Sequence, residues 1–339
     1  MSRSILLVAN PTAQSGKNAA RIARAEKLFA SHGVTTELLA TLPAGKTIDA
    51  VRDRLRAAPV ETIVAMGGDG TFREVAAGVL DSGLAERIPM GMLPSGTAND
   101  QGRSFGLFAD DAALEHNVDV VCAAHETRLD AGRARALDDA GHELATAWFF
   151  DSLGWGISAR VLAQRNEDRE LVQKTEILRD VYRDKLVYAG ALLRVFLESY
   201  VVDDEFEVVA TVGTEKTELG AVTDLIVKAT RIYGGAWVFD RTSRHDDGLF
   251  EVVPFRGKRD WTSKAIVDLD GNPVTEEMLN AIGIEHSHPF RVARVELSFT
   301  PPRGGAPLAA QVDGEEWIAS PRASIEVVPR ALRLIVPVT

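Results

Sequence analysis

The sequence has a single cysteine, Cys122, in 339 residues. No disulfide can form within the chain, and a reducing compartment is the simple expectation. Long apolar runs are missing too. The longest, Leu186–Leu197, is interrupted by Arg194 and falls short of the ~20 residues a membrane span needs. There is no basic block. The 38 Lys and Arg are outnumbered by 49 Asp and Glu, a formal charge of −11, which argues against nucleic acid as partner. The same balance disfavours strong electrostatic docking on anionic lipid. No low-complexity tract, internal repeat or lipidation motif is visible. The opening "MSRSILLVANPTAQSGKN" carries only a short apolar run before Asn-Pro, and it reads as a first strand rather than a signal peptide. The expectation is a cytoplasmic protein, soluble or at most peripheral on the inner membrane face.

What is present fits two globular domains, since 45% of residues are apolar and 26% charged and single domains usually run to ~100–200 residues. Residues 1–128 alternate strand and helix. "SILLVAN", "TTELLAT", "ETIVAM" and "IPMGMLP" are short apolar runs, and "NAARIARAEKLFASHG" places Ile22, Ala25, Leu28 and Phe29 at helical spacing with Gly33 as C-cap. This rhythm predicts an α/β fold with a doubly wound parallel sheet. Residues 129–328 read differently. "ATAWFFDSLG", "FEVVATVG", "TELGAVTDLIVKATRIYGG", "GLFEVVPF" and "VARVELSFT" are strand-like and bounded by Gly, Asp and Pro, which predicts a mainly antiparallel β-sandwich. A long helical segment from about Arg160 to Ser199 interrupts them, and residues 329–339 are expected to return to the first domain. Gly234-Gly235 inside a strand pattern suggests a bulge. Arg256–Phe290 yields no reading.

Three strand-to-helix turns carry chemistry, and in open α/β sheets such turns converge beyond the carboxyl ends of the strands. The first, "NPTAQSGKN", fails the P-loop pattern: Pro11 stands where a glycine belongs and Asn18 where a hydroxyl belongs. It leaves Ser15, Gly16 and Lys17 before a helix. The second is Gly67-Gly68-Asp69-Gly70, followed by Thr71 and Glu74 as a capping box. Glycines there let amides point into a crevice, and a helix start adds partial positive charge. Asp69 is out of place among them. At ~4 Å from a phosphate oxygen and an effective dielectric of ~20 its repulsion is ~4 kcal/mol, more than the ~0.3–1 kcal/mol a helix N-terminus returns. Such a carboxylate is expected only with a cation between it and the phosphate, or as acceptor of a hydroxyl proton. Both belong to phosphoryl transfer. The third turn, "LPSGTAND", offers Ser95, Gly96 and Thr97, then Asn99 and Asp100 at a helix start.

These elements together resemble the diacylglycerol kinase catalytic-domain family, which includes bacterial lipid kinases and sphingosine kinases. "NPTAQSGK" is similar to its opening loop, "GGDGTFREV" and "LPSGTAND" to its two signature loops, "FFDSLGWGISARV" to the segment entering its second domain. "RHDDGLFEVV", "PLAAQVDGEEW" and "RALRLIVP" complete the order. The resemblance implies a two-domain enzyme, working in the cleft between domains, that transfers the γ-phosphoryl group of ATP to a hydroxyl of diacylglycerol, a sphingoid base or a similar lipid, as in phospholipid biosynthesis. It places Asn10, Lys17, Gly67, Gly68, Asp69, Gly70, Thr71, Glu74, Ser95, Gly96, Thr97, Asn99 and Asp100 around the nucleotide. Asp69 or Asp313 is the implied general base. Asp313 and Glu315 are implied ligands of a catalytic Mg2+, and Asp247 with Arg244 and Leu249 of a structural one. From the residues alone, "VDGEE" is a hairpin turn. A transient membrane contact and a homodimer are compatible with this picture. The competing expectations are a kinase of a soluble alcohol or of NAD on the same fold, and a nucleotide-binding module without turnover. His286 and His288 read as a polar loop rather than a metal site, and Ser152 lacks the G-x-S-x-G context of a nucleophile.

Overall fold

The computed structural model describes residues 3–12, 17–58, 60–96, 98–162, 205–271, 275–281, 288–301 and 308–338. All but the first residues of the helical reading at Arg160–Ser199 lie outside them, as do Ser15, Gly16, Thr97 and His286. The chain forms two compact units. The first holds residues 1–131, 245–248 and 328–339, and the second holds 132–244 and 249–327.

In the first unit, β1 (Arg3–Ala9) is buried from Ile5 to Ala9 without a break, as a parallel strand covered on both faces must be. It pairs in parallel with β2 (Val34–Ala40) on one side and β3 (Thr62–Gly67) on the other. β4 (Met90–Pro94) adds to β3 in parallel, and the C-terminal end of β16 (Arg322–Ile335) pairs with β4 at Leu334 and Met90. The order β2-β1-β3-β4 reverses direction between β1 and β3. That reversal is the switch point where loops splay apart and a ligand can enter. Ile22, Ala25 and Phe29 of α1 (Lys17–Ser31) and Leu114, Val118 and Val121 of α5 (Ala113–Ala123) close one face over Ile5, Leu7 and Ala9. Val51 of α2 (Thr47–Ala57) lies against Gly78 of α3 (Asp69–Ser82), where a Cβ would come within 2.7 Å.

The second unit is antiparallel. β8 (Phe206–Val212) lies between β9 (Glu215–Val222) and β13 (Arg294–Thr300), and β13 pairs with the N-terminal part of β16. β6 (Glu143–Phe149) pairs with β5 (Glu126–Leu137). A six-stranded sheet runs β12 (Phe290–Val292), β11 (Phe250–Phe255), β10 (Asp224–Lys228), β7 (Ser152–Gly156), β14 (Ala310–Val312), β15 (Glu315–Trp317). Leu153, Trp155, Leu225, Val227 and Phe250 from this sheet share one core with Val208, Leu297, Phe299 and Ile325 from the other. Two sheets closing on one apolar layer make a sandwich.

Two readings need correction. Gly234 and Gly235 do not bulge a strand: β10 has ended at Lys228, and both glycines adopt positive φ in a tight turn closed between Tyr233 and Trp237. The unread segment Arg256–Phe290 begins with a helix, α6 (Gly257–Val267), whose Asp260 and Lys264 form a buried ion pair of 2.7 Å while Trp261 stacks on Phe255. His288 meets Glu276 at 3.1 Å.

Buried polar side chains interrupt the apolar strands, among them Asp224, Lys228 and Glu251. Asp224 is fully buried, and burial pushes its carboxyl up to about 8 against the hydrogen bonds of Ser158. The folded state therefore holds a proton that the unfolded chain releases near pH 4. Its contribution to stability is fully present in acid and is lost as pH rises toward about 8. Asp224→Asn should flatten that loss: thermal midpoints of the two proteins, close in acid, should separate in favour of the variant at pH 8. Parallel curves would overturn the assignment.

Candidate active site

The carboxyl ends of β1, β3 and β4 lie side by side in the first unit, and the three turns follow them. The first turn is held locally. Asn10 Oδ1 accepts from the amide and hydroxyl of Thr12 (3.0 and 2.8 Å), and the buried Asn18 donates Nδ2 to the Asn10 carbonyl. Asn18, which spoils a P-loop pattern, is thus the residue that pins this loop to the helix behind it. Lys17 opens α1.

The second and third turns touch through their backbones. A Cβ on Gly96 would lie 2.5 Å from the Gly68 Cα, and one on Gly68 would lie 3.2 Å from the Gly96 Cα. The Ser95 amide donates to the Gly67 carbonyl at 2.8 Å. Asn99, in the left-handed region at φ 55°, accepts from the Gly96 amide and returns a bond to its carbonyl. Only glycine on both sides permits this approach. Gly96→Ala should force the loops apart and, on the kinase expectation raised by the sequence, raise the KM for nucleotide and lower turnover about 10²-fold. Unaltered kinetics with intact folding would show that the contact is dispensable.

Asp69 sits where these turns meet. The helix begins at Asp69 with Gly68 as N-cap, so Thr71 is the third helical residue and the capping box with Glu74 does not form. The reason is the chain direction at Gly68, which is already extended before the helix starts. The Asp69 carboxylate turns toward α4 (Asp100–Ser104), accepting from the Gln101 amide at 3.2 Å. Burial raises its pKa, and the amides of Gln101, Asp100 and Asn99 oppose that rise. The repulsion expected for a carboxylate in this loop therefore has a protein answer besides a cation or a proton: a short helix start thirty-two residues on supplies the positive end. Asp100 and Gln101 are buried beside it. Arg21 of α1 reaches the Pro94 carbonyl (3.3 Å) and ties the first helix to the third turn. Sequence reading took Asn18 only as a departure from the P-loop pattern, and passed over Arg21 and the 99–101 amides because their partners are distant in the chain.

The remaining candidates lie elsewhere. Asp247 belongs to the first unit, whereas Arg244 and Leu249 belong to the second. In the first unit Asp130 accepts from the amides of Gly248 (2.7 Å) and Arg330 (2.6 Å). Burial raises its pKa, helped by the like charges of Asp247 and Asp246. In the second unit Asp313 and Gly314 form the two-residue turn between β14 and β15, both at positive φ, as a tight hairpin demands. The buried Asp313 carboxylate accepts three amides, Phe150 at 2.9 Å, Asp151 at 2.8 Å and Ser152 at 2.9 Å. Glu315, two residues on, is exposed. Among the described residues no three Asp, Glu, His or Cys side chains converge as a metal-ligand group. Two carboxylates suffice for magnesium when phosphates and waters fill the other positions. Asp313 is a carboxylate held in a fixed orientation by amides and Glu315 is open to solvent, so the pair fits such a role.

Known proteins carry the same pattern. Residues 4–134 match the model of the diacylglycerol kinase catalytic domain. A probable lipid kinase YegS-like of Cronobacter sakazakii is 33% identical over 143 residues, 42% of this chain and 43% of that protein. A diacylglycerol kinase of Staphylococcus haemolyticus is 33% identical over 136 residues, 39% of this chain and 38% of its own. The matched segment thus spans less than half the length of these relatives. In structure, a diacylglycerol kinase of Bacillus anthracis str. Sterne superposes with a TM-score of 0.66 at 18% identity, covering 99% of this chain and 97% of that one. Yeast NADH kinase does so at 0.50 and 8%, covering 99% and 84%. These likenesses show the fold, an α/β unit with a parallel sheet and an antiparallel second unit.

Proposed function

We propose that the chain whose residues 4–134 match this kinase domain is an ATP- and magnesium-dependent lipid kinase. The observation that supports it most is the joint of the glycine turns, where Gly68 and Gly96 meet backbone to backbone and Asp69 fixes α4 against them. Two amide-rich turns locked at adjacent strand ends make a rigid cradle for a triphosphate, and preorganised donors need no rearrangement as charge develops. Magnesium, held by Asp313 and Glu315, would neutralise the phosphate oxygens when bound. On this reading Gly67, Gly68, Gly70 and Thr71 would line the phosphates, with Asn10, Ser95 and Asn99 around them; Lys17 and Thr97 are assigned there by the resemblance alone. Asp69, raised in pKa by burial, accepts the proton of the attacking hydroxyl, or Asp313 does. The acceptor is a long-chain alcohol reached by transient peripheral contact; among the described residues no helix is long and apolar enough to cross a membrane.

The test is a radiolabelled-ATP screen across lipid extracts and soluble metabolites. Label in the organic phase, dependent on magnesium, is the expected result. Label in the aqueous phase alone would mean a soluble acceptor, and nucleotide binding without any transfer would sink the reading.

A further inference from the structure

The second turn of α3 carries Arg73, whose place on the helix is informative. Residues four apart share a face, so Arg73 lies on the side of Asp69. Long side chains lean back toward the helix N-terminus, over the preceding turn. The turn behind Arg73 is the one that Asp69 and Gly70 begin. That end of the helix is open. Gly67, Gly68, Asp69, Gly70, Thr71 and Arg73 are half-buried, whereas Phe72 and every residue from Val75 to Val79 are buried. A cation leaning over that turn stands beside the joint where Gly68 meets Gly96.

The other half-buried arginines of the first unit are spoken for. Arg3, Arg21, Arg52, Arg54, Arg128 and Arg333 each bond a carbonyl or a carboxylate. Arg73 is half-buried too, yet its Nε is buried with no hydrogen-bond partner, and its guanidinium forms no ion pair among the described residues. Asp69 does not neutralise it, because that carboxylate turns to the Gln101 amide. Glu74 is adjacent in sequence, and adjacent helical residues do not face each other. A partly desolvated cation without a partner is costly, and an anion that joins it removes the cost. A guanidinium meets two phosphate oxygens with two parallel N–H donors. The amides at a helix start offer their donors to the same class of group.

We propose that Arg73 binds the terminal phosphoryl group of the nucleotide and stabilises the charge on its oxygens during transfer. In that step the oxygen of the acceptor hydroxyl bonds to the γ-phosphorus. The bond from that phosphorus to the β–γ bridging oxygen breaks, its electron pair leaves with the nucleoside diphosphate, and the hydroxyl proton passes to Asp69 or Asp313. A fixed guanidinium beside the transferred group acts as arginines do in other phosphoryl-transfer sites, where turnover depends on them strongly. The proposal rests on the lipid-kinase reading. It adds a positive side chain from the same helix to what offsets the repulsion between Asp69 and a phosphate.

Arg73→Met keeps the apolar stem and removes the charge. Without nucleotide it should match or exceed the thermal midpoint of the wild type, because no bond is lost. A fall of several degrees would mean that Arg73 holds the fold, and would overturn the proposal. Calorimetric titration needs no acceptor. Arg73→Met should bind ATP about tenfold more weakly than the wild type, and ADP with nearly unchanged affinity. Equal losses for both nucleotides, or none for either, would overturn it. In turnover, kcat should fall about 10²-fold or more. Arg73→Lys should recover part of it, and added guanidinium ion should restore part of the activity of Arg73→Ala. A kcat within about twofold of the wild type in Arg73→Met would also overturn it. A wild-type protein that binds ATP through Arg73 yet phosphorylates no lipid would fault the lipid-kinase reading and leave this role standing.

Discussion

Asp69→Asn is expected to cut phosphoryl transfer about 10³-fold or more while costing stability only about 1–2 kcal/mol. Two effects add. The amide side chain cannot take a proton from the acceptor, and its neutral oxygen accepts from the Gln101 amide more weakly than a carboxylate does. The cap loss falls on a five-residue helix, α4, and not on the core, so the fold should survive. Steady-state turnover, circular dichroism and nucleotide titration separate the two effects. If binding weakens along with turnover, the displaced third turn dominates. If binding holds and turnover alone collapses, proton acceptance dominates. A variant as active as the wild type would leave Asp69 without a role in the chemistry.

Asp313→Ala should be the most destabilising single change at a candidate site, by about 3–5 kcal/mol. Three buried amides, those of Phe150, Asp151 and Ser152, lose one charged acceptor together. The segment they belong to enters β7, which stands in the middle of its sheet. The left-handed φ of 47° adds a further cost for alanine. Urea unfolding followed by tryptophan fluorescence measures it. Asp313→Asn, which keeps an acceptor oxygen, should lose less. Glu315→Gln, at an exposed position, should leave the midpoint unchanged, so that any loss of activity there reports chemistry alone. A stable Asp313→Ala protein would mean that the three amides find other partners, and would overturn this structural role for the carboxylate.

Much was legible in the chain itself. The unbroken burial of Ile5–Ala9 follows from a run of apolar residues of strand length, and the Asp-Gly hairpin at Asp313 follows from residues that tolerate positive φ. The crowding of glycines at Gly67–Gly70 signalled a close backbone approach, and the approach exists, though its partner is Gly96. Less was legible where a residue serves something distant. Asp69 looked like a carboxylate in need of a cation because its amide partners lie on another strand's loop. Asn18 looked like a defect. Gly234-Gly235 looked like a bulge because a β-like run precedes them, and nothing local says that β10 stops at Lys228.

The sequence by itself determined the alternation of strand and helix in the first part, the antiparallel texture of the second, and which turns hold chemistry. Those depend on periodicity and on single-residue φ preferences, which act over a few neighbours. Tertiary structure alone decided what each carboxylate faces: the amides of α4 for Asp69, the entry to β7 for Asp313, and Ser158 with one oxygen unsatisfied for Asp224. Desolvation and hydrogen bonding set the charge of an acid, and both are supplied by segments that only folding brings near.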